Sequence, residues 1–448
     1  MSTIPRDRSV DATFALLREG HEFIWNRCRR HRTEIFETRL MGKRAVCVHG
    51  REAAELFCDE SRLERPGATA TLGGPEHRRW RASLASPASL SRLTEVTAHD
   101  YRRAIRSWEQ RDSIVLFDEV QRVLTRAASS WAGLPLEEVD VVRRARDLGW
   151  MVEGAAGFGP RSWRGELARA RLERWMEGVI RAVRRGRHVP PPDSVLEVVT
   201  SLRGAGGEPL EARVAARALI DVLSPTMALP WFLAFAALAL HEHPAGRHRI
   251  ARELDEGGEY PDLFVAEVRR FYPLSPFLRA TVRTPFEWRG YRFRVGTLVL
   301  LDVYGMNHDA DLWDVPGELR PERFERWSGA AFHAIPQGGG RRGGQGRPEE
   351  DIASHQVTLA LHFLTRCMTH ELAAGQDLRF DLARMPARPR SGVVLRNLRA
   401  TAALDDAPPL ARCVTVARER AEAMDGESIH SAPQSERRPI RSEAVRGA

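Results

Sequence analysis

Lysine is almost absent from this 448-residue sequence: of its 68 cationic side chains, only Lys43 is not arginine. The formal net charge of +8 would suit a nucleic-acid partner. However, the arginines are spread along the whole chain among acidic residues. The near-complete use of arginine in place of lysine is typical of a bias in the base composition of the coding sequence. The sequence therefore predicts no nucleic-acid binding.

Cysteine is scarce as well, with five residues and no pair at C-x-x-C spacing. Zinc sites and disulfide frameworks both need cysteines at short, regular spacings. Neither kind of site is expected, and the sequence predicts no metal site built from several side chains.

Long apolar segments are also missing. The longest run, Met227 to Leu240, has 14 residues, which suits a buried core helix and is too short to cross a membrane. The first thirty residues carry charges throughout and have no apolar signal segment. We therefore expect a cytoplasmic protein without a membrane span.

Helical periodicity dominates what is present. Apolar residues recur at helical spacing over 11–32, 87–185, 211–241, 262–272 and 351–372. The helix over 211–241 is expected to be interrupted at Pro225 and Pro230. Alternating patterns over 37–50 and 286–303 predict short strands, with turns at Gly42 and Arg289-Gly290. The pattern indicates a mainly α protein with minor β structure.

The domain organisation follows from composition. Residues 1–400 show no linker or internal repeat and are predicted to form one domain. From Thr401 to the last residue there is no Phe, Trp or Tyr, and Pro, Ser, Glu, Ala and Arg dominate. Such a segment cannot bury enough apolar surface to fold, so residues 401–448 are predicted to be a disordered tail.

A structural ion-pair network is predicted around the helix FVAEVRRFYP. Glu267 and Arg270 are three residues apart and share one helix face. Such a pair is usually exposed to solvent, but here apolar residues flank it on both sides. If it is buried it needs a further partner, and Arg323 in the segment PERF is the candidate.

A glycine-rich loop, IPQGGGRRGGQG at 335–346, leads into a predicted helix. Six of its twelve residues are glycines, so its backbone can turn tightly and approach a bound group closely. The loop contains the letters G-x-G-x-x-G, but no βαβ unit surrounds them, and the Lys-Ser/Thr of a P-loop is absent. A dinucleotide or nucleotide site is therefore not expected.

The order of these motifs resembles that of the cytochrome P-450 superfamily, and specifically its branch of hydrogen-peroxide-using fatty-acid peroxygenases. The resemblance rests on an E-x-x-R helix, short strands, YGMNHD, PERF and a glycine-rich loop entering a helix. FIWNRCRRH, SWAGLPLEEVDV, FAALALHEHP and ARMPARPRSGVVLRN also resemble that branch. Together they cover nearly the whole chain up to about residue 400.

The resemblance implies a single-domain fold with a long central helix over a pocket for haem b. It implies a fatty acid or similar lipid as substrate and hydrogen peroxide as co-substrate if the protein is active. His77 and Arg81 match the family's H-x-x-x-R pattern, and Gly339 lies in the loop beside the expected haem. Four residues apart on a helix, His77 and Arg81 could both reach a haem propionate; two exposed basic residues are the alternative interpretation.

The family's loop presents the cysteine whose thiolate binds the haem iron and favours O–O cleavage. At that position this sequence has Arg347, and its neighbours Gly346 and Pro348 offer no ligand either. Arginine has no lone pair to donate and stays protonated. Cys367 lies twenty residues further on, and His355 is expected to be a core or surface residue rather than a ligand.

The family also has an Arg-Pro pair in the long helix, whose arginine holds the fatty-acid carboxylate that acts as general acid and base. Here the arginine is replaced by Ser224, while Pro225 remains. A neutral serine cannot form the bidentate contact. Thr226 lacks the acidic neighbour of an oxygen-activating threonine and is interpreted as a helix residue.

A third departure is a shortened segment before LGGPEHRRW, where the family has part of the cap over the distal haem face. Three interpretations follow: a haem oxidoreductase of the peroxygenase or monooxygenase type with impaired or altered activity, a non-catalytic relative that binds haem or an apolar ligand, and the product of a decaying gene.

Overall fold

We analysed the protein in a computed structural model, which describes residues 4–64, 84, 86–156, 159–204, 207–325 and 348–406. Within these ranges it is mainly helical with three small sheets. The α-helices, in chain order from α1 to α14, are Thr13–Glu19, Phe23–His31, Arg51–Phe57, Pro87–Trp108, Leu116–Ala132, Val141–Ala156, Pro160–Arg184, Val195–Ser201, Ala212–Glu242, Pro244–Glu256, Tyr260–Phe271, Tyr304–Asn307, Pro348–His362 and Ala403–Asp406.

The strands are short, with two to seven residues each. In chain order, β1 to β10 are Ile35–Leu40, Lys43–Val48, Leu63–Glu64, Ser113–Val115, Phe277–Val282, Phe286–Trp288, Tyr291–Phe293, Leu298–Asp302, Met368–Leu372 and Val394–Ala400. The largest sheet has the order β1-β2-β8-β5-β3 and is antiparallel except between β2 and β8. A second sheet joins β4, β10 and β9, and β6 pairs with β7.

Local sequence explains where several helices begin and end. The Ser86 side chain accepts a hydrogen bond from the backbone N–H of Ser89 and caps α4, whose first residue is Pro87. Helix α5 ends at Gly133, whose φ of 77° is the left-handed conformation that glycine tolerates best. Helix α5 therefore stops at Ala132, with this glycine as its C-cap.

The long helix α9 forms the centre of the core. It packs against α5, α7 and α13, and side chains such as Leu219, Phe232 and Phe235 are fully buried. The predicted interruption at Pro225 and Pro230 is wrong, because both prolines lie inside one continuous helix. Each removes only one backbone hydrogen bond, and packing on several sides holds the helix together despite that loss.

Helices α6 and α7 form an antiparallel pair that crosses at glycine. A Cβ added to Gly154 would lie 2.6 Å from the Cα of Gly165, and one added to Gly165 equally close to Gly154. Since real Cβ atoms do not approach so closely, a side chain at either position would push the two helices apart.

Two predicted boundaries need correction. The helix predicted to end at Leu372 ends as α13 at His362 and passes through a π-helical turn into strand β9. Pairing of β9 with β10 outweighs the local helical pattern. The folded part also extends beyond residue 400, since α14 packs with Leu404 only 2% exposed. Residues 407–448 lie outside the described ranges.

Candidate functional site

Glu267 and Arg270 on α11 form a fully buried ion pair. The Nε and Nη2 atoms of Arg270 donate to the two Glu267 carboxylate oxygens at 2.7 and 2.8 Å. Both side chains are 0% exposed. The third predicted member, Arg323, donates from Nε to Glu267 Oε1 at 3.0 Å. The structure thus brings together the three residues that the sequence singled out for this network.

The remaining donors of the network are used by backbone carbonyls. Arg270 donates to the carbonyl oxygens of Asn307 and Pro316, at 2.6 and 3.1 Å. Arg323 donates to the carbonyl oxygen of Asp314 at 2.6 Å. The network therefore holds α11 against the segment from YGMNHD to PERF, which precedes the glycine-rich loop.

A second buried polar cluster was missed by sequence reasoning. His49, which follows β2, contacts Asp302 through Nδ1 at 3.0 Å and Asp309 through Nε2 at 3.2 Å. Burial opposes a charge on the imidazole, but the two carboxylates outweigh it and raise the pKa of His49 to about 9. At neutral pH His49 is therefore a buried cation between two acids.

The glycine of YGMNHD is explained by this cluster. The backbone N–H of Gly305 donates to Asp302 Oδ1 at 2.9 Å. A Cβ at this position would lie only 2.0 Å from Asp302 Oδ2, so a side chain would displace the carboxylate from His49. Asp309 was visible in the motif, but its partner His49 is 260 residues away and no local pattern reveals it.

Four of the predicted cofactor-binding positions lie outside the described residues: His77, Arg81, Gly339 and Arg347. The shortened segment before PEHRRW lies outside them too. Helix α13 begins at Pro348, directly after position 347 in the sequence. These assignments remain predictions.

Three of the described cysteines, Cys28, Cys47 and Cys367, do not suit the role of the missing ligand. Cys367 is fully buried in the π-helical turn and its Sγ lies 3.7 Å from the Ala403 carbonyl oxygen, to which it donates. Burial raises the pKa of its thiol to about 11. Burial also raises the pKa of Cys28 and of Cys47 well above its usual range. These thiols stay protonated at neutral pH, and only a thiolate binds a metal.

The nearest downstream imidazole is engaged elsewhere. His355 on α13 is 8% exposed, and its Nε2 lies 2.5 Å from Thr94 Oγ1 on α4. Burial lowers the pKa of His355 to about 4, so the ring is neutral. It lies in the packing between two helices, as expected of a core histidine.

Ser224, at the position predicted for the substrate anchor, lies on the long helix α9. Ser224 is half-buried, and its hydroxyl donates to the Ile220 carbonyl oxygen of the preceding turn at 2.8 Å. It therefore contacts its own helix and presents no charge. Two residues on, Thr226 is fully buried and its hydroxyl has no hydrogen-bond partner in the described part of the chain.

The helix after the loop carries another unsatisfied polar group. Gln356 is 1% exposed, and both its amide oxygen and its nitrogen lack partners among the described residues. It lies one turn before Ala360, which together with Leu233 of α9 lines a cavity of about 10 Å³. Buried polar groups are nearly always hydrogen-bonded, so the helices on both sides of the expected haem pocket have polar atoms whose partner is not a described residue.

These observations test whether the residues fit a thiolate-bound haem. Polar atoms without partners among the described residues are present on α9 and α13, but the residue at the predicted thiolate position is Arg347, and Cys28, Cys47 and Cys367 are buried thiols. The structure also contains no group of three or more His, Cys, Asp or Glu side chains placed to hold a metal ion in those ranges. The residues therefore do not fit a haem that is bound through cysteine.

Among the described residues one helix, α9, is long and apolar enough to cross a membrane. In its most apolar window 83% of the residues are buried inside the protein. This is the burial expected of a core helix.

Comparison with known proteins identifies the fold. The family model for cytochrome P450 matches residues 258–392. Cytochrome P450 26C1 of Mus musculus is 27% identical over 425 residues, 81% of each chain. Among solved structures, cytochrome P450EX alpha (CYP152N1) with myristic acid is 33% identical, covers 90% of this chain and all of its own, and superposes with a TM-score of 0.81.

Two further structures give the same result. Cytochrome P450SP alpha (CYP152B1) in complex with (R)-ibuprophen is 35% identical over 87% of this chain and 99% of its own, with a TM-score of 0.79. A variant of cytochrome P450 OleT in complex with arachidonic acid is 30% identical over 89% of this chain and 99% of its own, also at 0.79. With the motif order and the buried network, these similarities show that the chain belongs to the cytochrome P450 family of haem oxidoreductases.

Proposed function

We propose that this protein is a diverged member of the fatty-acid peroxygenase branch: a haem oxidoreductase by descent that still binds a lipid-like ligand but has lost efficient thiolate-based oxygen transfer. The observation that carries the proposal is Arg347 at the position of the iron-binding cysteine. An arginine cannot donate electron density to iron, and that donation is what favours O–O cleavage in this family.

Two further observations support impairment rather than relocation of the ligand. Three of the four described cysteines, Cys28, Cys47 and Cys367, are buried thiols, so none of these three offers a thiolate in place of the missing one. The anchor position carries Ser224, whose hydroxyl is used within its own helix. Pro225 remains, but the acid–base arrangement of carboxylate and arginine that the family uses with hydrogen peroxide is incomplete.

The lipid class of the ligand is supported by the relatives. Two of the similar solved structures contain fatty acids, namely myristic acid and arachidonic acid. In this chain the helix over the expected pocket is rich in Leu, Ala and Phe, and most of its residues are buried. We propose a cytoplasmic location, which is supported by the burial of α9, the one helix of the described residues that is long and apolar enough to cross a membrane.

A second candidate is a non-catalytic protein that binds haem or an apolar ligand in the retained pocket. It is favoured by the contrast between an intact Glu267–Arg270–Arg323 network and the changes at positions 224 and 347. Selection that keeps a fold while catalytic groups are lost is what a binding function would produce.

The absorption spectrum of the full-length protein after incubation with haemin, first ferric and then reduced under carbon monoxide, separates these functions. We expect haem uptake without the thiolate-type carbon-monoxide band. That band in the wild-type protein would overturn the proposal and restore an active peroxygenase, to be assayed with fatty acid and hydrogen peroxide. A folded protein that takes up no haem would favour the binding protein.

Cys367→Ser is the matched control for this experiment. It removes the cysteine nearest to the loop in sequence while keeping a small polar side chain in the same buried place. Because Cys367 donates to Ala403 and is not a ligand in our proposal, the spectrum should not change. A spectrum that depends on Cys367 would contradict the ligand assignment directly.

A further inference from the structure

Two side chains that contact the ring of Phe117 each carry a buried N–H donor with no hydrogen-bond partner among the described residues. The guanidinium carbon of Arg388 lies 4.0 Å from the centroid of the Phe117 ring. The same ring contacts Trp231 of α9 edge to face, with 4.9 Å between the ring centroids. Neither Trp231 Nε1 nor Arg388 Nε has a partner among the described residues.

Both groups are unusual for a protein core. Trp231 is 0% exposed, and an indole N–H that is buried without an acceptor destabilises the folded protein. Arg388 is half-buried in the loop between β9 and β10, and burial lowers the pKa of its guanidinium. A partly buried charge without a counter-ion is costly unless a partner arrives from outside the chain.

Neighbouring acids do not supply that partner. Asp118 and Glu153 are the two carboxylates close enough to act electrostatically on Arg388. Neither forms an ion pair with it within the described ranges. Glu153 instead accepts hydrogen bonds from Arg164 and Arg384, both at 2.8 Å, so its oxygens are already engaged.

The location relates this pair of donors to the lost anchor. Trp231 lies seven residues after Ser224 on α9, which is two helical turns along the same face, or about 10 Å. The loop that carries Arg388 is thus joined through Phe117 to the helix from which the family's anchoring arginine is missing. A cation is therefore available near this helix, supplied by a different segment of the chain.

We propose that Arg388 and Trp231 form a carboxylate site that replaces the lost anchor and binds the head group of a long-chain fatty acid. This inference rests on the proposed function, since it assigns an orientation to the same class of ligand. A guanidinium matches a carboxylate in shape and charge, and stacking on Phe117 holds its plane in place. The indole N–H then provides a further, uncharged donor to the ligand.

The test compares myristate with its methyl ester, which has the same chain but no negative charge. Binding to the full-length protein is measured by titration calorimetry below the concentration at which the lipid forms micelles. Because hydrogen bonds to charged groups are the strong ones, we expect the wild-type protein to prefer the acid over the ester by about tenfold or more.

Variants then show which residues cause the preference for myristate over its methyl ester. Arg388→Gln should remove most of it, Arg388→Lys should keep part of it, and Trp231→Phe should reduce it severalfold while keeping an aromatic ring against Phe117. Arg390→Gln is the matched control, since Arg390 is in the same loop, is half exposed and lies 3.6 Å from Asp377. Circular dichroism and thermal melting verify that each variant is folded.

The outcomes distinguish this inference from the proposed function. If the wild-type protein binds myristate but Arg388→Gln and Trp231→Phe retain the full preference for the acid, the carboxylate site is wrong and lipid binding stands. If the wild-type protein binds neither myristate nor the ester, both proposals fail. A loss of preference in Arg390→Gln equal to that in Arg388→Gln would mean that the charge acts from a distance, and would also overturn the site.

Discussion

The Glu267–Arg270–Arg323 network and the region of positions 224 and 347 differ in how they are built. In the network the carboxylate of Glu267 and both guanidinium groups have several hydrogen-bond partners. The ion pairs of Glu267 with Arg270 and with Arg323 are buried. Around the expected pocket, Ser224 bonds to its own helix while Thr226 and Gln356 lack partners in the described chain. The comparison teaches that the network satisfies its charged groups within the chain, whereas the region of the expected pocket contains buried polar atoms whose partners are not described residues.

The largest expected effect is the return of the missing ligand in Arg347→Cys. If the surrounding fold is intact, the variant incubated with haemin should show a stoichiometric thiolate-type band under carbon monoxide, where the wild-type protein shows none. Arg342→Cys, which puts a thiol elsewhere in the same loop, is the control and should behave like the wild-type protein. Equal spectra for the two variants would mean that the loop no longer places residue 347 at iron.

Glu267→Gln should cause the largest loss of stability. It leaves Arg270 buried with its charge uncompensated, and breaking a buried pair in this way costs about 3–5 kcal/mol. Equilibrium unfolding in urea measures the loss. The control Asp377→Asn removes an exposed partner of Arg379, and its midpoint should not shift measurably. A change below about 1 kcal/mol for Glu267→Gln would show that the network is not a stabilising unit.

His49 should make the stability of the protein depend on pH. Its pKa of about 9 in the folded protein lies above the ordinary value of 6.5, so its contribution is complete below pH 6.5 and is lost as the pH rises through 9. This shift in pKa means that His49 contributes on the order of 3 kcal/mol to the free energy of unfolding at low pH. His49→Gln should lower stability at pH 6 and flatten this dependence. A wild-type curve with no decline between pH 6.5 and 9 would contradict the buried cation.

The smallest effect is expected for Ser224→Ala. In the described structure the serine hydroxyl donates only to the Ile220 carbonyl oxygen. That carbonyl belongs to the same helix, so the helix does not depend on this contact. Stability should change by less than about 0.5 kcal/mol, and the affinity for myristate should stay the same. A severalfold loss of affinity would show that Ser224 contacts the ligand, and would weaken the assignment of its head group to Arg388.

Particular residues show how far sequence reasoning reached. Glu267, Arg270 and Arg323 were identifiable because a helix face brings the first two together and the motif PERF marks the third. Arg388 and Trp231 were not, since they are 157 positions apart in the numbering and meet only through the ring of Phe117. His49 was missed for the same reason, as its acids lie 253 and 260 residues away.

The sequence by itself determined the helical class, the order of the motifs, the family and the absence of cysteine at position 347, because periodicity, spacing and residue identity are local properties of a chain. Only the tertiary structure decided that α9 continues through Pro225 and Pro230, that β9 replaces the end of a predicted helix, and which polar groups are left without partners. Packing and distant pairing set these outcomes, and they contribute more free energy than the local preferences they override.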